Sequence, residues 1–426
     1  MQNIFNSYKN LSKEVYRLAI VRFILSMGNF IYPFLTLFLV KKLSIPPYST
    51  SLFIIASGFT FVPASIISGK ISDNAGRRVI LLSSFLIYIV LIFFIFFLYH
   101  FNIIRNLIIA FLLIFANFFL MMTQVPITAI ITDVTNPSNR NESFSLVYLA
   151  TNVGFAFGPF IAGFLFENYT SLIFLGNAIF CLLGFLVLIK IKETKPDLPL
   201  NNQTEKTSYN NGIIKDEQIN KNNIADNIYY SRKSAIEFII KDKFFLIFTA
   251  ATIFFSFAYS QAGFTLPIYL SNIFGKNGAK LYGILQSINA LTVIFFTSIV
   301  SNLTKKKSAF LMVGLAGIFY ALGFGLYGFF NSFYLYIFTT ILWSIGEIIQ
   351  ITNQNVFIAN RSPVHLRGRI NGAFQIISGI GFVLGPVFSG FFQQYYKIKF
   401  IWPIIFTLSL SGFLLLFIIY KKNKDI

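Results

Sequence analysis

The sequence has one cysteine, Cys181, and two histidines, His100 and His365, among its 426 residues. A disulfide-stapled module needs paired cysteines, and a histidine-rich metal centre needs more imidazoles than these, so both classes are excluded. HExxH, CxxC and GxxxxGK[ST] runs are also missing. Metal, thiol-redox and P-loop nucleotide chemistry therefore have no footing, and neither a cofactor nor an enzyme activity is expected. Charge is scarce, at 12% of residues with only 15 Asp and Glu, against roughly 25% charged residues in a soluble domain. What is abundant is apolar: 56% hydrophobic residues, 55 of them Phe, and a mean hydropathy of +0.70. So few polar groups cannot coat so much apolar surface, and the chain needs lipid as its solvent.

Apolar runs of about 20 residues, the length that crosses a bilayer core, lie near 15–41, 48–69, 78–99, 104–132, 143–166 and 170–190. After a polar gap six more follow, near 244–272, 279–303, 308–330, 333–359, 370–394 and 399–420. They are too long and continuous for barrel strands, which alternate over about 10 residues. The expected architecture is an all-α membrane protein of twelve transmembrane helices in two six-helix, pseudo-symmetric halves, 1–190 and 244–426. The 191–243 stretch, rich in Asn and Lys, reads as a flexible cytoplasmic linker whose end, SAIEFIIKDK, forms a short interfacial helix. The polar start MQNIFNSYKNLSKEVYR leads into an apolar run longer than that of a signal peptide, so no cleavage is expected.

Placing both termini in the cytoplasm leaves seven of the 34 Lys and Arg outside: Lys41, Lys42, Arg105, Lys276, Lys280, Lys397 and Lys399. Apart from Arg22, within the first span, the others face the cytoplasm, as positive-inside loops do. The net charge of +19 is then spread over short loops facing anionic lipid headgroups, and no nucleic-acid partner is expected.

The halves repeat each other. Asn29-Phe30-Ile31-Tyr32-Pro33 matches Gly263-Phe264-Thr265-Leu266-Pro267. Gly154-x3-Gly158-Pro159-x3-Gly163 matches Gly381-x3-Gly385-Pro386-x3-Gly390, preceded by Pro137 with Arg140 in one half and Pro363 with Arg367 in the other. Parallel repeats of this kind put a pathway between the halves at the midplane, with access alternating as one half rocks on the other.

The loop after the second span reads Gly69-x3-Asp73-x2-Gly76-Arg77-Arg78. Its glycines allow a tight turn and close helix approach, and its charges sit where helix ends present partial charges. In this loop, and in its twelve spans and two halves, the sequence resembles the major facilitator superfamily. The resemblance implies that the acid at Asp73 engages the N-terminal end of helix eleven in the outward-facing state. It also implies that Arg77 pairs with an acid at the cytoplasmic end of helix four, where Asp133 stands. The matching second-half loop, Ser301 to Lys307, keeps only basic charge. The Gly-Pro run of helix five is similar to the family's antiporter motif, with Ser145 and Ala162 replacing two glycines; small-x3-small helix packing is the other reading.

Glu347 lies 14 residues into the tenth span, where a charge costs roughly 2.5–3.5 kcal/mol on insertion scales. Trp343, Glu347, Gln350 and Gln354 share one helix face, which lines a cavity or a neighbouring helix. A carboxyl there can exchange a proton as the halves move, or it is a neutral Glu hydrogen-bonded between helices. The first and fourth spans carry Arg22, Ser26, Asn29 and Pro33, and Asn117, Met121, Gln124 and Thr128, at one shared spacing. Such soft and polar groups suit a substrate cavity, although Arg22 is also placed to snorkel to the interface. Gln261, Gln286 and Asn289 either complete that cavity or hold helices together.

The expected function is secondary active transport: proton-coupled efflux of amphipathic or cationic molecules, of the kind in the superfamily's multidrug antiporter branch. Glu347 and Asp133 would couple protons, with Asp73, Arg77 and Asp133 at the gate. The alternative is a proton-coupled uptake symporter for a sugar, peptide or other metabolite. The expected setting is a bacterial plasma membrane, with the chain a monomer whose partners are lipid, protons and a small-molecule substrate.

Overall fold

The computed structural model describes residues 8, 11–103, 107–136, 139–194, 235–363 and 366–423. Residues 195–234 of the expected linker, with Arg105, Pro137 and His365, lie outside the described residues. In hydrocarbon each peptide N–H and C=O must find its partner within the chain, so long apolar runs form helices. Those in the first half are α1 (Lys13–Lys42), α2 (Pro47–Ala75), α3 (Arg77–His100), α4 (Leu107–Asp133), α5 (Arg140–Leu165) and α6 (Thr170–Leu188).

The apolar helical stretch Lys243–Thr304 is 62 residues long, about 93 Å at 1.5 Å per residue against a hydrocarbon core of about 30 Å. The chain turns back within it at Gly275–Asn277, opening at Gly275 with a φ of 54°. It supplies two spans, α7 (Lys243–Ser260 continued by Thr265–Phe274) and α8 (Gly278–Thr304). Then come α9 (Ala309–Gly325), α10 (Phe333–Arg361), α11 (Arg367–Tyr395) and α12 (Ile401–Lys422), which completes twelve; no strand occurs among the described residues. A short helix over 235–241 precedes α7.

Several spans are broken, and proline accounts for much of it. Pro63 and Pro126 cannot donate to the helical ladder, and α2 and α4 are interrupted at Thr60 and Thr123, three residues before each. In α1 and α7 the breaks fall at the repeated Asn29–Pro33 and Gly263–Pro267 segments. Side chains satisfy the backbone opened there: the amide Nδ2 of Asn177 donates to the Gly28 carbonyl (2.6 Å) and Thr36 Oγ1 to that of Gly263 (2.8 Å).

The Gly-Pro runs set the helix crossings. A Cβ on Gly154 would lie 2.3 Å from the Phe23 carbonyl oxygen, and one on Gly158 2.7 Å from that of Ser26, so α5 lies backbone to backbone on α1. In the other half, Gly381 and Gly385 press α11 onto α7, at Ile253 and at Phe257 and Ser260. The last glycine of each run meets the opposite half: Gly163 lies on Ala279 and Lys280, with the Pro159 carbonyl on Gly283, and Gly390 lies on Pro47 and Tyr48.

Contacts between the halves gather at one end of the bundle. Thr36 bonds to Gly263, Lys41 Nζ to Asn272 Oδ1 (3.0 Å), the Phe34 ring meets Tyr282, and Lys280 lies over Phe164. At the other end, which carries the 69–78 and 301–307 loops, no hydrogen bond or ion pair between the halves occurs among the described residues. Midway along α2 and α11 a pocket of about 450 Å3 lies between the two helices, lined by Phe59, Val62, Gly379, Phe382 and Pro386 among others.

Candidate functional site

Polar side chains within the bundle form two clusters, one in each half, and a charged network closes the 69–78 loop. In the second half, Glu347 of α10 is half-buried. Its Oε1 accepts from the Tyr259 hydroxyl of α7 (2.9 Å) and its Oε2 from Asn289 Nδ2 of α8 (2.9 Å). Asn289 Nδ2 also donates to Ser344 Oγ at 2.9 Å. No Lys or Arg pairs with Glu347 among the described residues. Two neutral donors thus hold a carboxyl deep in the bundle, where proton gain or loss changes the site's charge outright.

The rest of the expected α10 face divides. Gln350 Oε1 accepts from Tyr320 of α9 (2.7 Å), and its Nε2 donates to Gln354 Oε1 (3.3 Å). Trp343 is 1% exposed, stacked on Phe324 at 5.2 Å and donating from Nε1 to the Tyr327 hydroxyl. Of the two readings of this face, a cavity or a neighbouring helix, Trp343 and Gln350 take the second and face α9. Gln261, expected either to complete the cavity or to hold helices together, is fully buried. It binds Phe257 O and Ser260 Oγ through Nε2, and through Oε1 accepts from Thr265 and from Ser389 (2.7 Å), which ties α7 to α11. Gln286 reaches the Ala262 carbonyl at the α7 break.

In the first half, Arg22, Asn29, Asn117, Met121 and Gln124 line one cavity of about 370 Å3. Arg22 Nη2 donates to Gln124 Oε1 at 2.6 Å, so the guanidinium bridges α1 and α4 within the bundle rather than snorkelling away. Asn29 Oδ1 is buried with no hydrogen-bond partner among the described residues. Asn117 turns its amide to α2, donating to the Ser57 carbonyl (2.9 Å) and Thr60 Oγ1 (3.0 Å).

Gly76, at a φ of 110°, makes the turn into α3. A Cβ there would sit 2.5 Å from Glu193 Oε2, so only glycine lets that carboxylate approach. Glu193 accepts from the backbone N–H of Arg77 (2.9 Å) and of Arg78 (3.0 Å), capping the positive end of α3. Arg77 Nε donates to Asp133 Oδ2 at 2.8 Å, and its Nη1 reaches Asp73 Oδ1 at 3.3 Å. Thr194 Oγ1 also donates to Asp133. Asp133, expected to couple protons, is thus committed to Arg77 and Thr194 at the loop. Asp73 remains 75% exposed. Gly69 has only ordinary contact with Val125, so the close helix approach expected there is not used.

Tyr259, Glu193, Asn177 and the cavity residues Tyr32 and Tyr88 were not singled out from the sequence. Tyr259 left one signal: it is the sole hydroxylated ring in the phenylalanine-rich Lys243–Ser260 segment.

Comparison with known proteins agrees with this fold. An uncharacterized MFS-type transporter of Bacillus subtilis (strain 168), YqjV, is 24% identical over 92% of this chain and 90% of its own length. A Na(+), Li(+), K(+)/H(+) antiporter of Planococcus maritimus is 22% identical over 61% of each chain. Among solved structures, the nucleoside transporter NupG superposes with a TM-score of 0.70 at 15% identity, covering 96% of this chain and all of its own. A peptide transporter POT in complex with sulfate gives 0.72 at 13% identity, over 96% of this chain and 94% of its own. The family model described as Major Facilitator Superfamily matches residues 18–386; with twelve apolar spans, repeated Gly-Pro crossings and the Arg77–Asp133 loop network, the chain belongs to that superfamily of multi-pass membrane transporters.

Proposed function

We propose that the protein is a proton-coupled exporter of amphipathic, cation-bearing small molecules, a monomer in a bacterial plasma membrane with both termini in the cytoplasm. Its halves, 1–190 and 244–426, rock on each other, and the hydrogen bonds between them lie at the end away from the 69–78 and 301–307 loops, the end this reading puts outside. The observation that carries this reading is Glu347, a carboxyl within the bundle held by Tyr259 and Asn289 without a basic partner. Withdrawing a carboxylate from water disfavours its charged form, whereas hydrogen-bond donors favour it. Rocking that wets and dries the site therefore moves a proton on and off Glu347, and an arriving cation competes for the same carboxylate. The Planococcus relative is named for exchanging cations against protons, the same class of exchange.

The test is transport of a lipophilic cation such as ethidium into proteoliposomes under a pH gradient. Glu347→Gln keeps the shape and removes the titration, so gradient-driven flux should fall to that of empty vesicles while the protein stays folded; undiminished flux would sink the assignment. Uptake of a metabolite by symport is the second reading, favoured by Arg22, which is bonded to Gln124 and paired with no acid among the described residues. Accumulation of a neutral or anionic metabolite inside cells, with no movement of lipophilic cations, would put that reading in place of the first.

A further inference from the structure

Outside the transport clusters, a cavity of about 670 Å3 opens at the loop end of the second half among Phe238, Asp242, Lys305, Lys307, Phe310 and Arg361. Four spans end at its edge: α7 begins at Lys243, α8 ends at Thr304, α9 begins at Ala309 and α10 ends at Arg361. The hydrocarbon boundary therefore passes through the cavity, with phenylalanines on one side and lysines on the other. The 235–241 helix is consistent with that level. Ala235 and Ile239 are buried, Ile236 and Ile240 are exposed, and Glu237 pairs with Lys241, the pattern of a helix lying among headgroups.

The acid lining this cavity is already engaged. Asp242 Oδ2 accepts from Arg361 Nε at 2.6 Å, and its Oδ1 caps α7 by accepting from the N–H groups of Phe244 (2.9 Å) and Phe245 (3.1 Å). Lys305 and Lys307 are exposed at the rim and take part in no ion pair among the described residues. Ser308 caps α9, whose N-terminal turn adds positive potential at the same rim. The cavity is thus cationic at the polar level and aromatic below it. We propose that it holds the phosphate of an anionic phospholipid headgroup, with Lys305 and Lys307 as counter-charges above a floor closed by the packed rings of Phe310 and Phe357.

The test uses the full chain, purified in detergent and mixed with equal amounts of phosphatidylglycerol and phosphatidylcholine, with bound lipid read by native mass spectrometry. A basic residue near an anionic lipid surface contributes about 1 kcal/mol, so the double variant K305A/K307A should lose about 30-fold in phosphatidylglycerol retention. The charge-matched variant K397A/K399A, at the opposite end, should retain it as the unaltered chain does. Equal retention by all three proteins, or equal loss in both variants, would overturn the site. Complete displacement of the lipid by millimolar inorganic phosphate would also overturn it, making free phosphate the ligand. Both lysine pairs are exposed, and matched melting temperatures of the variants confirm that lipid loss is not unfolding.

Discussion

The glycine runs of α5 and α11 pack alike, yet the polar groups carried within the two halves are opposite in kind. In both, the first two glycines bring the helix onto the backbone of its own half's first span, and the last glycine touches the other half. The first half holds a cation, Arg22, bridged to Gln124; the second holds an acid, Glu347, between Tyr259 and Asn289. The loops differ as well. Asp73, Arg77, Asp133 and Glu193 form a network in the first half, whereas the 301–307 loop is basic and the second half's charged tie is Arg361 to Asp242. The helix crossing restricts side-chain size where backbones touch and leaves the polar groups elsewhere unconstrained. Architecture repeats for that reason, and chemistry does not.

The largest expected effect breaks the shared part of this comparison. A Cβ on Gly381 would lie 2.0 Å from the Ile253 carbonyl oxygen, and one on Gly154 2.3 Å from that of Phe23. Backbone cannot retreat as a flexible side chain can, so Gly381→Ala and Gly154→Ala should each cost about 3 kcal/mol, the upper part of the overpacking range. Gly372, on the same helix as Gly381, has nothing within 4 Å. Gly372→Ala should leave stability unchanged or raise it by up to about 1 kcal/mol through helix propensity. Thermal unfolding in detergent of the three variants checks this, and similar melting temperatures for Gly381→Ala and Gly372→Ala would break the packing argument.

The spans and the glycine crossings were legible because each depends on residues close in sequence: an apolar run, a four-residue spacing. The site was legible only in part. Glu347 stood out as an acid in an apolar helix, but Tyr259 and Asn289 lie 88 and 58 positions away, and no local periodicity records which tyrosine or amide faces it. Glu193 was hidden for the same reason, 116 positions from the N–H that it caps. Periodicity put Trp343 and Gln350 beside Glu347 on α10, but it does not say which neighbour each side chain meets, and those two meet α9 while Glu347 meets α7 and α8.

A smaller effect sharpens the contrast between the loops. Asp73 is mostly exposed on the 69–78 loop and lines neither polar cluster, so it contributes little to ligand binding in this arrangement. If it docks on the N-terminal end of α11 when that end closes, Asp73→Asn should lower turnover about tenfold and change equilibrium binding by less than twofold, as loss of a charge-assisted contact of about 1.5 kcal/mol would. Paired flux and binding measurements on one preparation check it; a large loss of affinity with turnover per bound ligand unchanged would make Asp73 a binding residue.

The smallest effect tests the second half's own tie. Burial pushes the Asp242 carboxyl up, but the hydrogen bond and charge of Arg361 and the N–H groups of Phe245 and Phe244 outweigh it and hold the group below its ordinary value of 3.8. A carboxyl depressed in the folded state adds stability above its unfolded pKa, and that stability is lost as pH falls through the lower, folded value. Asn also caps helices well, so Asp242→Asn removes the charge and keeps the cap. Because Asp242 and Arg361 are partly exposed, at 18% and 29%, solvent screening limits the pair to about 0.5–1 kcal/mol. At pH 7 the Asn variant should melt slightly below the unaltered chain. The gap should persist at pH 5, above the unfolded pKa, and close as the pH drops below about 4. A gap that already vanished at pH 5 would mean that Arg361 does not hold the carboxylate, and the charged tie assigned to the second half would be absent.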